Sequence, residues 1–287
     1  MPSTPRVPLQ IEHNPRMYET ADLNFLLFVP ADRPERLAKA LGAGADAVVI
    51  DLEDAVAGDR KRIGRDALIS AAAMIASAPV PAIVRINATD AETHEADCRA
   101  VAELRLAAVM LPKVESPEAV TRAQRMTGHQ IWALVESARG LAVARSVAPC
   151  AARLAFGSID FAADLGSAHS REALLAARSE IVLASRLAGL ASPIDGVTTA
   201  ILDHDQTRAD AAYAAALGFA GKLLIHPSQI APAREGFRPS DEEIAWAERV
   251  LAAQGGAVAI GGTMVDAPVR RRAQQIRRRA SMSQHAD

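Results

Sequence analysis

Two acidic residues close neighbouring strand-like runs. Glu136 ends Gln130-Ile-Trp-Ala-Leu-Val-Glu136, and Asp160 ends Arg153-Leu-Ala-Phe-Gly-Ser-Ile-Asp160. A carboxylate at the C-terminal end of a buried parallel strand points into the mouth of an α/β barrel, where such folds do their chemistry. Two of them on adjacent strands, with water in the remaining positions, suit an open Mg²⁺ site. A lone aspartate after a strand is more simply a helix cap or a surface acid; the pair is read as metal ligands. Other polar groups gather at the same strand ends: Asp51, Glu53 and Asp54, then Arg85 and Asn87, Lys113 and Glu115, Asp195, and His226. Arg85 interrupts an apolar run, Ala82-Ile-Val-Arg-Ile-Asn87. A buried guanidinium needs a partner. That partner is either an internal acid such as Asp51 or Glu53, or an anionic oxygen of a substrate, which its fork geometry suits. The residue alone does not choose between them.

Lys113 raises a rival chemistry, a Schiff base with a carbonyl substrate. It precedes Val-Glu-Ser-Pro, a strand-to-helix turn, which favours a loop lysine paired with a carboxylate. Lys222 opens the eighth strand, the wrong end for catalysis. Asp203-His204-Asp205 looks like metal ligation, but adjacent residues at a helix start rarely converge on one ion, and Asp203 fits an N-cap. Cys98 and Cys150 make neither a disulfide framework nor a CxxC site. The arginine-rich stretch from Arg270 to Arg279 is most simply a solvated helix face.

These side chains need a scaffold that presents them together. Eight short runs, apolar on both faces as covered parallel strands must be, recur along the chain: Asn24–Pro30, Ala47–Glu53, Ala82–Asn87, Ala108–Val114, Gln130–Glu136, Arg153–Asp160, Ser192–Val197 and Gly221–Pro227. Helical stretches such as Pro34–Leu41, Arg60–Ser77, Glu118–Met126 and Glu172–Leu187 lie between them. The alternation predicts an α/β fold, a closed (β/α)₈ TIM barrel; no GxGxxG follows the first strand, which counts against a dinucleotide-binding open sheet. Residues 1–22 read as an N-terminal arm, 23–235 as the barrel, and 236–287 as a C-terminal helix and lid segment. Ser240 is the expected N-cap of that helix. Gly255-Gly256 and Gly261-Gly262 read as a flexible break before the lid.

Half of the 287 residues are hydrophobic but only 3% are aromatic, so the core must be aliphatic. A net charge of −2 gives no reason to expect nucleic acid or membrane as a partner. No signal peptide or spanning run is visible, and cysteine usage is that of a reducing compartment, so a cytoplasmic location is expected.

Together the motifs resemble the HpcH/HpaI aldolase and citrate lyase β-subunit superfamily. They are Phe28-Val-Pro-Ala-Asp-Arg-Pro-Glu-Arg36, Ile50-Asp-Leu-Glu-Asp-Ala-Val56, Val84-Arg-Ile-Asn87, Leu111-Pro-Lys-Val-Glu-Ser116, Leu134-Val-Glu-Ser-Ala-Arg-Gly140, Phe156-Gly-Ser-Ile-Asp160, Gly218-Phe-Ala-Gly-Lys222 and Ile225-His-Pro-Ser-Gln229. The resemblance implies Mg²⁺-dependent cleavage of a carbon–carbon bond in a 3-hydroxyacyl-CoA such as citramalyl-, citryl- or malyl-CoA, giving acetyl-CoA and a 2-oxo acid. A citrate lyase β subunit acting on an acyl-carrier ester and a malyl-CoA thioesterase are the alternatives it leaves. Glu136 and Asp160 then match the metal ligands and Arg85 the substrate arginine. Ile159, Ile225 and His226 match the surroundings of the acyl-CoA, and Asp266 matches a lid aspartate contributed by a neighbouring subunit. That implies a homo-oligomer, a trimer or hexamer. Asp51, Glu53 and Asp54 are expected behind Arg85, orienting it or metal-bound water. One departure stands out: Asn24-Phe25 occupy the place of an Arg-Ser in many relatives, which matters if that arginine holds part of the CoA.

Overall fold

The structure is a computed structural model that describes residues 20–253, 258–260 and 263–284. Most of the expected arm, Met1 to Glu19, and both expected glycine pairs lie outside the described residues; Thr20–Asp22 form a short 3₁₀ turn.

Eight parallel strands close into a ring in sequence order. They are β1 (Phe25–Pro30), β2 (Ala47–Asp51), β3 (Ala82–Arg85), β4 (Ala108–Leu111), β5 (Ile131–Val135), β6 (Arg153–Phe156), β7 (Ile194–Asp195) and β8 (Gly221–Leu224). β1 pairs with both β2 and β8, with Phe25 opposite Lys222. The chain is therefore a TIM barrel, as the strand–helix alternation predicts. Its helices are α1 (Pro34–Leu41), α2 (Lys61–Ser70), α3 (Ala72–Ser77), α4 (His94–Ala102), α5 (Pro117–Thr127), α6 (Ala138–Ala142), α7 (Ala144–Val147), α8 (Ser158–Leu165), α9 (Leu175–Leu187), α10 (His204–Leu217) and α11 (Ile230–Phe237). Beyond them come α12 (Asp241–Ala252), the hairpin β9 (Val258–Ile260) and β10 (Thr263–Val265), and α13 (Ala267–Gln284).

Successive strand side chains point to opposite faces, and the core divides accordingly. Leu26, Val49, Ile83, Met110, Trp132, Leu134, Ala155 and Leu223 fill the barrel. Their neighbours Leu27, Val48, Val84, Val109, Ala133, Leu154 and Leu224 meet the helices. The same alternation, carried one step further, turns Asp51, Arg85 and Glu136 inward at the strands' C-terminal ends. The floor is closed by Arg153, 1% exposed, which donates to the carbonyls of Leu23 and Ser192 and to Asn24 Oδ1 (2.8 Å). Burial pulls its guanidinium down to about 10. Asn24 thus belongs to the floor, and its departure from the Arg-Ser pattern falls at the end of the barrel away from the strand-end acids.

Every strand is shorter than its expected run, β6 and β7 by the most. β6 stops at Phe156, because Gly157 turns the chain and Ser158-Ile159-Asp160 begin α8. β7 keeps two residues, and its parity turns Asp195 outward. There Asp195 receives Arg178 Nε (2.9 Å) and faces Lys222 Nζ (3.7 Å), between the barrel wall and the helices. Asp195 is therefore not part of the polar ring at the mouth. Among the described residues no helix is long and apolar enough to cross a membrane.

Candidate active site

Glu136 follows β5 and is 2% exposed. Its Oε1 accepts the Lys113 backbone N–H at 2.8 Å, whereas Oε2 is buried without a hydrogen-bond partner. Burial, together with the charges of Glu53 and Asp160, pushes its carboxyl up to about 8, with Arg85 acting in the opposite sense. A side chain at Gly157 would collide with Glu136 Oε2 and Cβ. Close approach, not unusual backbone geometry, is thus the reason for glycine there. Asp160 reaches the same group from the first turn of α8, where the helix dipole favours an acid. It is half-buried, and it comes from a helix start, not the strand end that the sequence suggests.

Arg85, 9% exposed, meets the internal acids. Its Nε donates to Asp51 Oδ1 (2.8 Å) and its Nη2 to Asp51 Oδ2 (2.6 Å). Nη1 lies 2.8 Å from Glu53 Oε2, off the hydrogen-bonding angle, and 3.5 Å from Asp54. Its guanidinium also sits 4.9 Å from the Phe28 ring. Burial disfavours the charge, but the bond and charge of Asp51 more than offset it, so Arg85 stays cationic. Asp51 is itself anchored, accepting the N–H groups of Glu53 and Ala55. Asp51, Glu53 and Asp54 are therefore brought behind Arg85.

Lys113 Nζ donates to Glu53 Oε1 at 2.5 Å, the carboxylate-paired loop lysine that its turn favours. Glu53 is raised by burial in spite of Arg85 and Lys113. Sequence reasoning missed Lys61, whose Nζ donates to the carbonyls of Leu52 and Glu53 at 2.8 and 2.7 Å. Nothing in its local pattern marks it, since it opens an amphipathic helix. Asn87 joins Asp97 and the Leu52 carbonyl. Ile159 (43% exposed) and Ile225 (38%) leave apolar surface open; the Ile225 N–H donates to Gln229 Oε1. His226 is exposed, and its Nδ1 accepts the Ser228 N–H. Asp203 caps α10 through the Gln206 N–H, a structural role.

Asp266 is exposed and accepts the Val269 N–H at 3.1 Å, capping α13. Further along α13, Arg272, Gln275 and Ile276 line a cavity of about 850 Å³ with Asn24, Phe25, Asp46 and Arg153, below the strand starts. That cavity contains none of the strand-end acids, so the chemistry is sought at the other end.

The arrangement suits a divalent cation. Five carboxyl groups (Asp51, Glu53, Asp54, Glu136 and Asp160) face three cations (Lys61, Arg85 and Lys113), which leaves an excess of two negative charges once Glu136 gives up its proton. Glu136 also offers a bare buried oxygen. Among the described residues no group of three or more His, Cys, Asp or Glu forms a metal cage. A two-carboxylate site with open positions fits Mg²⁺, which keeps water and substrate in its coordination shell.

The family model for HpcH/HpaI aldolase/citrate lyase matches residues 24–227. A citrate lyase subunit beta-like protein of Mycobacterium tuberculosis is 41% identical over 266 residues, covering 88% of this chain and 94% of that protein. A (3S)-malyl-CoA thioesterase of Cereibacter sphaeroides is 37% identical (79% and 81%), and the human mitochondrial citramalyl-CoA lyase 32% (87% and 83%). The crystal structure of CitE from M. tuberculosis in complex with magnesium, acetoacetate and coenzyme A superposes with a TM-score of 0.80 at 40% identity, covering 90% of this chain and 98% of that one. Barrel, motifs and relatives agree over nearly the whole length, and the chain belongs to the HpcH/HpaI aldolase/citrate lyase family.

Proposed function

We propose that the protein is a Mg²⁺-dependent carbon–carbon lyase acting on a 3-hydroxyacyl-CoA of the citramalyl-, citryl- or malyl-CoA type and releasing acetyl-CoA and a 2-oxo acid. The observation that carries this is the bare, buried Oε2 of Glu136, with its carboxyl raised to about 8 beside Asp160. Glu136 and Asp160 would hold the ion, and the chemistry that it supplies when bound is Lewis-acid polarisation of the hydroxy or oxo group. Arg85, locked by Asp51, presents a fixed positive charge to the thioester oxygen as the bond breaks and enolate character develops. Ile159, Ile225 and His226 line the way for the acyl-CoA. Asp266, brought by the lid of a neighbouring subunit in a trimer or hexamer, returns the proton to the enolate carbon and takes it in the condensation direction. Closure of that lid excludes water from the enolate.

A second reading is supported by the 37% identity to a (3S)-malyl-CoA thioesterase: the thioester is hydrolysed. One assay separates the two. Purified protein is given citramalyl-CoA, malyl-CoA and citryl-CoA with Mg²⁺, and both free CoA and 2-oxo acid are measured. Acetyl-CoA with 2-oxo acid, lost on adding EDTA, is the expected result and names the substrate. Free CoA in place of acetyl-CoA selects the thioesterase. No turnover of any of the three overturns the stand-alone lyase and leaves the acyl-carrier subunit. Replacing Arg85 by lysine is expected to lower kcat/KM at least about 100-fold, because an ammonium cannot keep both Asp51 bonds and still face the substrate.

A further inference from the structure

Lys113 is the one non-glycine among the described residues with a left-handed backbone, at φ +49°. L side chains rarely adopt that conformation and glycine takes it freely. A lysine held there needs a reason in its side chain as well as its backbone. The backbone turn aims the Lys113 N–H at Glu136 Oε1 (2.8 Å), while the chain rejoins the barrel as the Val114 N–H donates to the Leu134 carbonyl (3.4 Å). The side chain runs the other way and places Nζ 2.5 Å from Glu53 Oε1. The other oxygen of Glu53 faces Arg85 Nη1, the arm of the guanidinium that Asp51 leaves over. One residue thus holds two acids of the site, Glu136 by its peptide and Glu53 by its ammonium.

We propose that Lys113 is a positioning residue with two separable parts: its peptide sets Glu136 for the cation, and its ammonium holds Glu53 off the hydrogen-bonding line to Arg85 Nη1. This rests on the reading of the site given above. Without the ammonium, Arg85 is the one cation left in an ion pair with the Glu53 carboxylate among the described residues, and Glu53 turns into line with Nη1. An anionic oxygen of the 2-oxo acid or thioester then competes against a buried carboxylate for that arm.

The test is a binding split. Mn²⁺ affinity is measured by electron paramagnetic resonance, and pyruvate affinity by calorimetry in the presence of saturating Mn²⁺. Lys113→Gly keeps the turn and removes the ammonium. It is expected to bind Mn²⁺ within about two-fold of wild type and pyruvate about ten-fold more weakly. Adding Glu53→Gln to Lys113→Gly removes the competing charge and is expected to restore pyruvate binding to within about three-fold. Lys113→Arg keeps a cation on Glu53 and is expected to bind both near wild type. Lys113→Val resists the left-handed turn and is expected to lose Mn²⁺ affinity. If Lys113→Gly weakens both ligands equally, leaves both unchanged, or is not rescued by Glu53→Gln, the proposal is overturned. A wild type that binds no Mn²⁺ overturns the metal site itself, and the proposal with it.

Discussion

Glu136 carries a proton that its function must remove. Its carboxyl lies at about 8, far above the ordinary 4.5, because burial and the neighbouring acids Glu53 and Asp160 disfavour its charge. A divalent cation needs the charged form, so binding releases a proton below pH 8. Metal affinity is expected to rise about ten-fold per pH unit up to that point and then level off, a slope that titration at several pH values measures. The sign for stability is opposite. The folded apoprotein holds this proton between pH 4.5 and 8, where the unfolded chain has lost it. By linkage apoprotein stability falls as pH rises through that window, by up to about 1.4 kcal/mol per unit. Denaturant melts with EDTA are expected to show the decline, and melts with Mg²⁺ to flatten it. Gly157→Ala is expected to abolish metal binding at any pH, since its Cβ takes the space of Glu136. At this scale the sequence was partly legible. Glu136 and Arg85 declare themselves as charges in apolar runs. The outward turn of Asp195, the divided loyalty of Lys113 and the use of Lys61 depend on strand parity and a single backbone angle, which spacing does not reveal.

The barrel elements were readable because each strand is a short aliphatic run bounded by turn residues, and α1 begins at Pro34 and ends before Gly42 as proline and glycine direct. The ends were harder. Val-Glu-Ser-Pro reads as a turn, but Gly-Ser-Ile-Asp160 reads as the end of the sixth strand, and tertiary contact decides otherwise: β6 stops where Gly157 meets Glu136. Ser240 was legible as a cap, and the structure gives it a full capping box with Glu243. Ser240→Ala is expected to lower stability by about 1 kcal/mol in urea titration. α12 and α13 form a small cluster of their own around Ala247, Val250, Val265, Ala273 and Ile276. Ile276→Asp is expected to open that cluster while the barrel's far-ultraviolet circular dichroism persists. Turnover by an enzyme that uses the lid segment is then expected to fall steeply.

At the scale of the molecule, the proposed function requires two chains per site, one giving Glu136 and Asp160 and the other giving Asp266. Glu136→Gln and Asp266→Ala, each inactive alone, are expected to regain part of the activity when co-expressed and purified as mixed oligomers, because some sites then pair an intact mouth with an intact lid. Mixed oligomers without activity would return the lid to its own barrel. The ring itself has a consequence for how the protein is made. Phe25 faces Lys222 across the seam between β1 and β8. During synthesis β1 leaves the ribosome with one edge bare and waits for most of the barrel before its second neighbour exists. A bare strand edge invites pairing with other chains, and contacts this distant in sequence form slowly. The short run Gly221–Leu224 is thus the clasp of the nascent chain. Translation stalled before it leaves an open ribbon for chaperones or proteases, whatever the state of the acids at the mouth.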